Sequence, residues 1–251
     1  MEVSGLIWLE PDTPLPEPGL ALPEGLLAAG NDLSIARLQE AYSKGIFPWF
    51  NEGDPVLWWS PDPRMVLACA DFKVSRSLAK KLRQMARMET SANPGVVVTT
   101  DLAFEHVIRA CAAPRAHQAG TWISERIIQA YSQWHRLGQV HSVETWVDGR
   151  LAGGLYGVCQ GSFFFGESMF AWETDSSKIA LAYLVAFLSR NGITHVDCQQ
   201  DTAHLDSLGA ATMSRAGFLS LLRTAGQHAA PAWQAGRLLN DGRLLPLAAS
   251  S

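Results

Sequence analysis

The stretch Val140–Glu167, "VHSVETWVDGRLAGGLYGVCQGSFFFGE", decides the fold class. Its three runs of β-branched and aromatic residues are divided by Asp148–Gly149 and by Gln160–Gly161. An Asp-Gly pair between two such runs is the strongest short-range hairpin signal, so the stretch predicts an antiparallel meander of three strands. It also raises a question of charge. Glu167 stands in "FFFGESMF", among four phenylalanines and a methionine. A carboxylate without a partner in an apolar run costs several kcal/mol or is driven neutral, so this one needs a partner or a purpose.

Before the meander, "VSRSLAKKLRQMARM", "DLAFEHVIRACAA" and "SERIIQAYSQWHRLG" each carry a cap residue followed by helical periodicity, which predicts three helices by residue 138. After it, "SSKIALAYLVAFLSRNG" is apolar nearly all round, the mark of a helix buried on most of its surface and ended by Asn191 and Gly192. A strand, "ITHVDC", and a helix, "SRAGFLSLLRTAG", follow. Residues 71–251 are therefore expected to form an α+β domain whose mixed sheet is covered by helices. The last twenty or so residues suit either a short terminal element or a tail. Residues 1–70, rich in proline, glycine and tryptophan, read as a small N-terminal domain. It should hold one helix, "SIARLQEAYSKG", capped by Ser34 and stopped by Gly45, and two aromatic segments, "IFPWF" and "VLWWSPDPR", that read as loops or edge strands.

With 251 residues, 47% hydrophobic and 18% charged, the chain can bury a sizeable core. Its first residues carry acids and prolines where a signal peptide would be basic and then apolar, and no apolar run approaches the ~18 residues of a membrane span. A cytoplasmic location without membrane partners is expected. The four cysteines lack CxxC spacing and no Cys/His cluster is present, so reduced thiols and no metal are expected. A net charge of -4 means that any nucleic-acid partner must be held by a local basic patch. There is no GxSxG elbow, phosphate loop or dinucleotide fingerprint, which lowers the weight of covalent catalysis, nucleotide hydrolysis and nicotinamide chemistry.

Four groups of residues could carry chemistry. Arg76, Lys80, Arg83 and Arg87 recur at i, i+4, i+7 and i+11 and form one stripe opposite Leu78, Leu82 and Met85. Such a stripe is commonly a solvated face, but a solvated face usually mixes signs, and four cations in line suit phosphates. In "THVDCQQD", strand geometry sets His195, Asp197 and Gln199 on one face and Val196 and Cys198 on the other. Asp197 and Gln199 could then touch, a cysteine nucleophile paired with His195 is disfavoured, and a purely structural capping role for Asp197 stays open. Glu167 with its phenylalanines reads as an apolar pocket bearing one orienting polar group, against the plain-core alternative. The nine tryptophans could serve as core, as interface anchors or as stacking platforms.

Taken in order, "PEGLLAAGNDLS", "AYSKGIFPWF", "LWWSPDPRMVL", "GTWI", "HSVETW", "GGLYGV", "FFGESMF", "DCQ" and "HLDSLGA" resemble the leucyl/phenylalanyl-tRNA-protein transferase family from about Pro23 to Phe218. The chain departs from that pattern at Asn31, where a second glycine is usual, and at Ala171, where a serine is usual. The resemblance implies an acetyltransferase (GNAT)-like domain preceded by a small N-terminal domain. It also implies an enzyme that moves leucine or phenylalanine, and less well methionine, from aminoacyl-tRNA to proteins beginning with Arg or Lys, marking them for N-end rule degradation. No cofactor is implied, and a monomer is expected.

By the same resemblance, Asp197 and Gln199 form a relay that draws a proton from the attacking amine. Since an amide is no base, Asp197 would supply the charge and Gln199 would orient. Glu167 would hold an ammonium group. Leu155, Phe164, Met169, Leu181 and Val196 are candidates for an apolar pocket that should admit β-branched side chains poorly. Trp49 and Trp122 match positions that hold the terminal adenosine and the aminoacyl end, with Tyr42 beside them. The basic stripe would follow acceptor-stem phosphates. Two rivals remain: a coenzyme-A-dependent N-acyltransferase, which lacks its glycine-rich turn in "ESMFAWETDSSK", and a noncatalytic module for peptides or RNA.

Overall fold

The computed structural model describes residues 6–113 and 121–247. Gly120 of "GTWI", and residues 1–5 and 248–251 of the expected N- and C-terminal segments, lie outside that range. The strands are β1 (Ile7–Leu9), β2 (Leu26–Gly30), β3 (Phe47–Pro48), β4 (Val56–Trp59), β5 (Arg64–Ala68), β6 (Val96–Thr100), β7 (Val140–Val147), β8 (Arg150–Gln160), β9 (Phe163–Ala171), β10 (His195–Gln199), β11 (Ala211–Met213), β12 (Gly236–Leu238) and β13 (Leu244–Pro246). The helices are α1 (Ile35–Ser43), α2 (Arg76–Met88), α3 (Phe104–Ala112), α4 (Glu125–Arg136), α5 (Ser176–Arg190), α6 (Ala203–Ser207) and α7 (Arg215–Ala225).

Two sheets result. A four-stranded sheet runs β1-β2-β4-β3, and a nine-stranded sheet runs β11-β5-β10-β9-β8-β7-β6-β12-β13. The meander β7–β9 forms as its sequence requires, with Asp148 and Gly149 both at positive φ in the first turn. The long sheet is mixed because β10 runs parallel to β9 while its other side pairs antiparallel with β5. The period of two along each strand then divides the interior. Tyr156, Phe165 and Val66 face a core built with α1, α3, α4 and α7, whereas Leu155, Phe164 and Leu67 face a second core built with α2 and α5. Serines 34, 75, 124 and 214 cap α1, α2, α4 and α7 by accepting from the third backbone N–H beyond them.

The structure departs from the sequence expectation at β5 and β6. The segment ending in "SPDPR" is no edge: its prolines stop at Pro63, and Arg64–Leu67 are buried between β10 and β11 in the large sheet. The strand β6, "VVVTT", stands between helices where only helices were expected, and joins the meander at β7. The C-terminal region takes one of its two expected readings, a short terminal element: the hairpin β12–β13 extends the sheet beyond β6.

The sheet opens beside the meander. β9 and β10 pair only through Val196 with Phe164 and Asp197 with Phe165, and beyond those pairs the two strands part. Each carries an extra residue at that point. Glu167 is bulged out of the β8–β9 register and Cys198 out of the β10–β5 register. A bulge bends its strand and re-aims a side chain, so two of them side by side open a cleft in what would otherwise be continuous sheet. Gly157 allows the first: a Cβ there would run into the Phe165 carbonyl and the Phe164 ring.

Candidate active site

The cleft has a volume of about 1270 Å³. Of the residues singled out in the sequence, Trp49, Trp122, Leu155, Phe164, Glu167, Met169, Leu181, Val196 and Gln199 line it. Leu155, Phe164, Leu181 and Val196 belong to the second core and make one wall apolar, with Met169 packed against them. Trp122 packs against the core that the small sheet shares, and Trp49 reaches that core through Trp59, its edge-on neighbour at 5.5 Å. Trp49 is 39% exposed and is braced by Trp59, whose indole N–H donates to the Trp49 carbonyl at 2.7 Å.

Between these walls sits Glu167. Tyr42 donates its hydroxyl to Glu167 Oε1 at 2.7 Å, and Gln199 donates its amide N–H to the same oxygen at 2.9 Å. Tyr42 lies behind Glu167 rather than on the cleft lining, and its hydroxyl also meets that of Tyr131 at 2.6 Å. Burial raises the Glu167 carboxyl to about 8, with the nearby Asp197 charge adding to the rise and the bonds from Tyr42 and Gln199 opposing it. The charge that looked anomalous in "FFFGESMF" is thus partnered and also held near neutrality.

Asp197 is placed differently from the expectation of a group supplying charge to the reacting amine. It is fully buried and does not line the cleft. Both its oxygens are taken by Arg64, through Nε at 2.8 Å and Nη2 at 2.7 Å. Asp197 and Gln199 do touch, as their spacing allowed, but through the Gln199 backbone N–H, which donates to Asp197 Oδ1 at 2.9 Å. Gln199 has φ 65, a left-handed conformation costly for a residue with a side chain, and the Asp197 bond holds it there. In that conformation its amide reaches Glu167. Cys198, the bulged residue, packs against the second core and borders the cleft on that side, and burial pushes its thiol up to about 12.

The helix α2 presents Arg76, Lys80, Arg83 and Arg87 exposed, with Leu78 and Met85 buried and Leu82 half-buried beneath. None of the four makes an ion pair among the described residues. Its neighbour on the helix, Lys81, donates to the Thr174 carbonyl in the loop between β9 and α5, which ties α2 to that end of β9.

Sequence reasoning did not single out Arg64, Tyr131 or Tyr156. For Arg64 a signal existed: an arginine heading the apolar run "RMVLA" must bring a carboxylate with it if that run is buried. The two tyrosines carry no such mark, because a tyrosine in an amphipathic helix or a strand is ordinary core.

Residues 31–62 and 66–223 match, in that order, the N-terminal domain and the main domain of the leucyl/phenylalanyl-tRNA protein transferases. The chain belongs to this family. The chain is 59% identical over 248 residues to the leucyl/phenylalanyl-tRNA-protein transferase of Bordetella petrii, covering 98% of each chain. It is 57% identical to that of Methylibium petroleiphilum, over 90% of this chain and 86% of the relative. It is 51% identical to that of Chromobacterium violaceum, over 89% and 93%. Among solved structures, an aminoglycoside acetyltransferase from a soil metagenomic sample aligns with 52% of this chain and 87% of its own at a TM-score of 0.32 and 14% identity, a likeness too distant to bear on the site. No helix of this transferase among the described residues is long and apolar enough to cross a membrane.

Proposed function

We propose that this transferase takes leucine or phenylalanine, and methionine less well, from its aminoacyl-tRNA. It joins the amino acid to the α-amine of a protein beginning with Arg or Lys and so marks that protein for N-end rule degradation. The observation that carries this reading is the cleft itself. Its wall of Leu155, Phe164, Leu181 and Val196 suits an unbranched-β apolar side chain, and its described lining carries Glu52 and no Lys or Arg, which suits a cationic acceptor. Trp49 and Trp122 stack the terminal adenosine at the mouth. The exposed cations of α2 follow acceptor-stem phosphates, a contact that reads RNA shape and not sequence.

An aminoacyl ester is already activated, so the protein must align the amine, accept a proton and stabilise the oxyanion. The nitrogen of the acceptor attacks the ester carbonyl carbon, a C–N bond forms, and the C–O bond to the ribose breaks. Glu167 takes the amine proton and returns it to the departing ribose oxygen. Its carboxyl at about 8 is matched to an α-amine at roughly 7.7–8.0, so the proton moves with little driving force lost. Gln199 orients Glu167, and Asp197 positions Gln199. Transfer of label from leucyl-tRNA to a peptide beginning with Arg tests the reading: loss of transfer after ribonuclease supports it, whereas transfer from acetyl-CoA, or binding without transfer, refutes it.

A further inference from the structure

Among the described residues, Tyr156 is the tyrosine of the Glu167 environment whose hydroxyl lacks a hydrogen-bond partner. It lies on β8 directly opposite Ser168, the residue after the bulged Glu167, and it lines the cleft. Its ring is fixed edge-on by Tyr131 at 6.0 Å and by Phe104 at 6.0 Å. The residue is fully buried, and its hydroxyl has no partner among the described residues. Tyr42 and Tyr131 have each other and Glu167. A buried hydroxyl left unbonded costs roughly 1–3 kcal/mol, and native structures seldom keep one without a use.

The transfer reaction leaves one task unassigned among the groups already described: a donor for the oxygen that becomes negative when the amine attacks. Asp197 and Glu167 are carboxyl groups, and the Gln199 amide spends one of its two N–H donors on Glu167, whereas the Tyr156 hydroxyl is committed to no described residue. We infer that the Tyr156 hydroxyl is this donor, a catalytic group that hydrogen-bonds the ester carbonyl oxygen as it takes up charge and releases it when the ribose oxygen leaves. The hydroxyl keeps its proton throughout. Burial and the Glu167 charge hold its phenol well above the ordinary tyrosine value, so it acts as a neutral donor. A fixed ring and an unspent proton are what a preorganised donor needs, since no existing bond must break before it works.

The inference rests on the transfer reaction proposed above, and the test separates the two. Single-turnover transfer from leucyl-tRNA to an Arg-peptide is measured for the unmodified protein and for Tyr156→Phe, together with leucyl-tRNA affinity and thermal melting of each. The expected result is a rate lower by roughly a hundredfold, the loss seen when one oxyanion donor is removed, with affinity unchanged and a melting temperature no lower than that of the unmodified protein, because deleting an unbonded buried hydroxyl removes its cost. An unchanged rate in Tyr156→Phe while the unmodified protein transfers normally overturns the inference and leaves the function standing. A variant that melts earlier or fails to fold also overturns it, because the hydroxyl would then have a structural partner. Absence of transfer by the unmodified protein sinks both.

Discussion

Arg64 and Asp197 form a bidentate ion pair with both residues at 0% exposure, Nε to Oδ1 at 2.8 Å and Nη2 to Oδ2 at 2.7 Å. The arginine is also wedged between the Phe47 and Phe218 rings, 4.7 and 4.5 Å from their centroids, and donates to the Gly45 carbonyl at 3.1 Å. One side chain therefore joins the small sheet, α7 and β10 at the point where β10 turns toward Glu167.

Removing half of such a pair strands a buried charge, which costs about 3–5 kcal/mol. Asp197→Asn should accordingly lower the melting temperature by roughly 10 °C for a chain of this size, and transfer should fall because Gln199 loses its anchor. The two losses are measured by calorimetry and by single-turnover transfer on protein kept below its new melting point. A melting temperature equal to that of the unmodified protein, with transfer abolished, would move Asp197 from positioning to chemistry.

The titration of Glu167 has a signed consequence for stability. Its folded carboxyl, raised to about 8, sits above the ordinary unfolded value near 4.3. The folded state thus holds a proton that the unfolded chain has lost. The contribution is fully present below the unfolded value and is lost as pH rises through about 8, at a slope no steeper than roughly 1.4 kcal/mol per pH unit. Glu167→Gln should flatten that part of the stability curve while removing most transfer. Denaturant titrations at pH 5 to 9 decide it, and a variant curve parallel to the unmodified one would return Glu167 to an ordinary value. The rate of the unmodified protein should rise through the same pH range, read with an acceptor amine of much lower pKa so that only the carboxyl titrates.

The meander, six of the helices and the serine caps were legible because each is written locally, in a turn pair, a period or a cap three residues from its partner. The strand β6 was missed although its five residues, Val96–Thr100, are all β-branched, because its reason for existing is the edge of β7, more than forty residues away. The candidate residues were legible as types but not as roles. Glu167 finds Tyr42 across 125 positions and Asp197 finds Arg64 across 133. Neither partner follows from alternation, and the bulges at Glu167 and Cys198, which decide where both strands aim, have no local sequence signal beyond the Gly157 that tolerates one of them.

The cations on α2 should act together and without effect on folding, since all four are exposed. Replacing Arg76, Lys80, Arg83 and Arg87 with Gln should weaken leucyl-tRNA binding and make its salt dependence shallower by up to roughly 0.9 in log–log slope per lost phosphate contact. The melting temperature should not move. A slope identical to that of the unmodified protein would place the tRNA elsewhere.

Side-chain choice should reside in the apolar wall. Leu181 lies on α5, is 7% exposed, and faces both the cleft and the second core. Leu181→Ala removes the outer part of that wall, so the larger phenylalanine gains room while leucine loses contacts. A difference of one or two methylenes is worth about 1–3 kcal/mol, so competition between phenylalanyl- and leucyl-tRNA should shift toward phenylalanine by at least roughly tenfold. The same change costs stability, about 2 kcal/mol at the low end of buried leucine truncations, because water from the cleft can enter the space. Leu181→Met separates the two effects: it conserves volume, so both stability and the leucine preference should stay near those of the unmodified protein. If Leu181→Ala loses stability with its amino-acid preference intact, Leu181 is core alone, and the selective wall lies nearer Leu155 and Phe164.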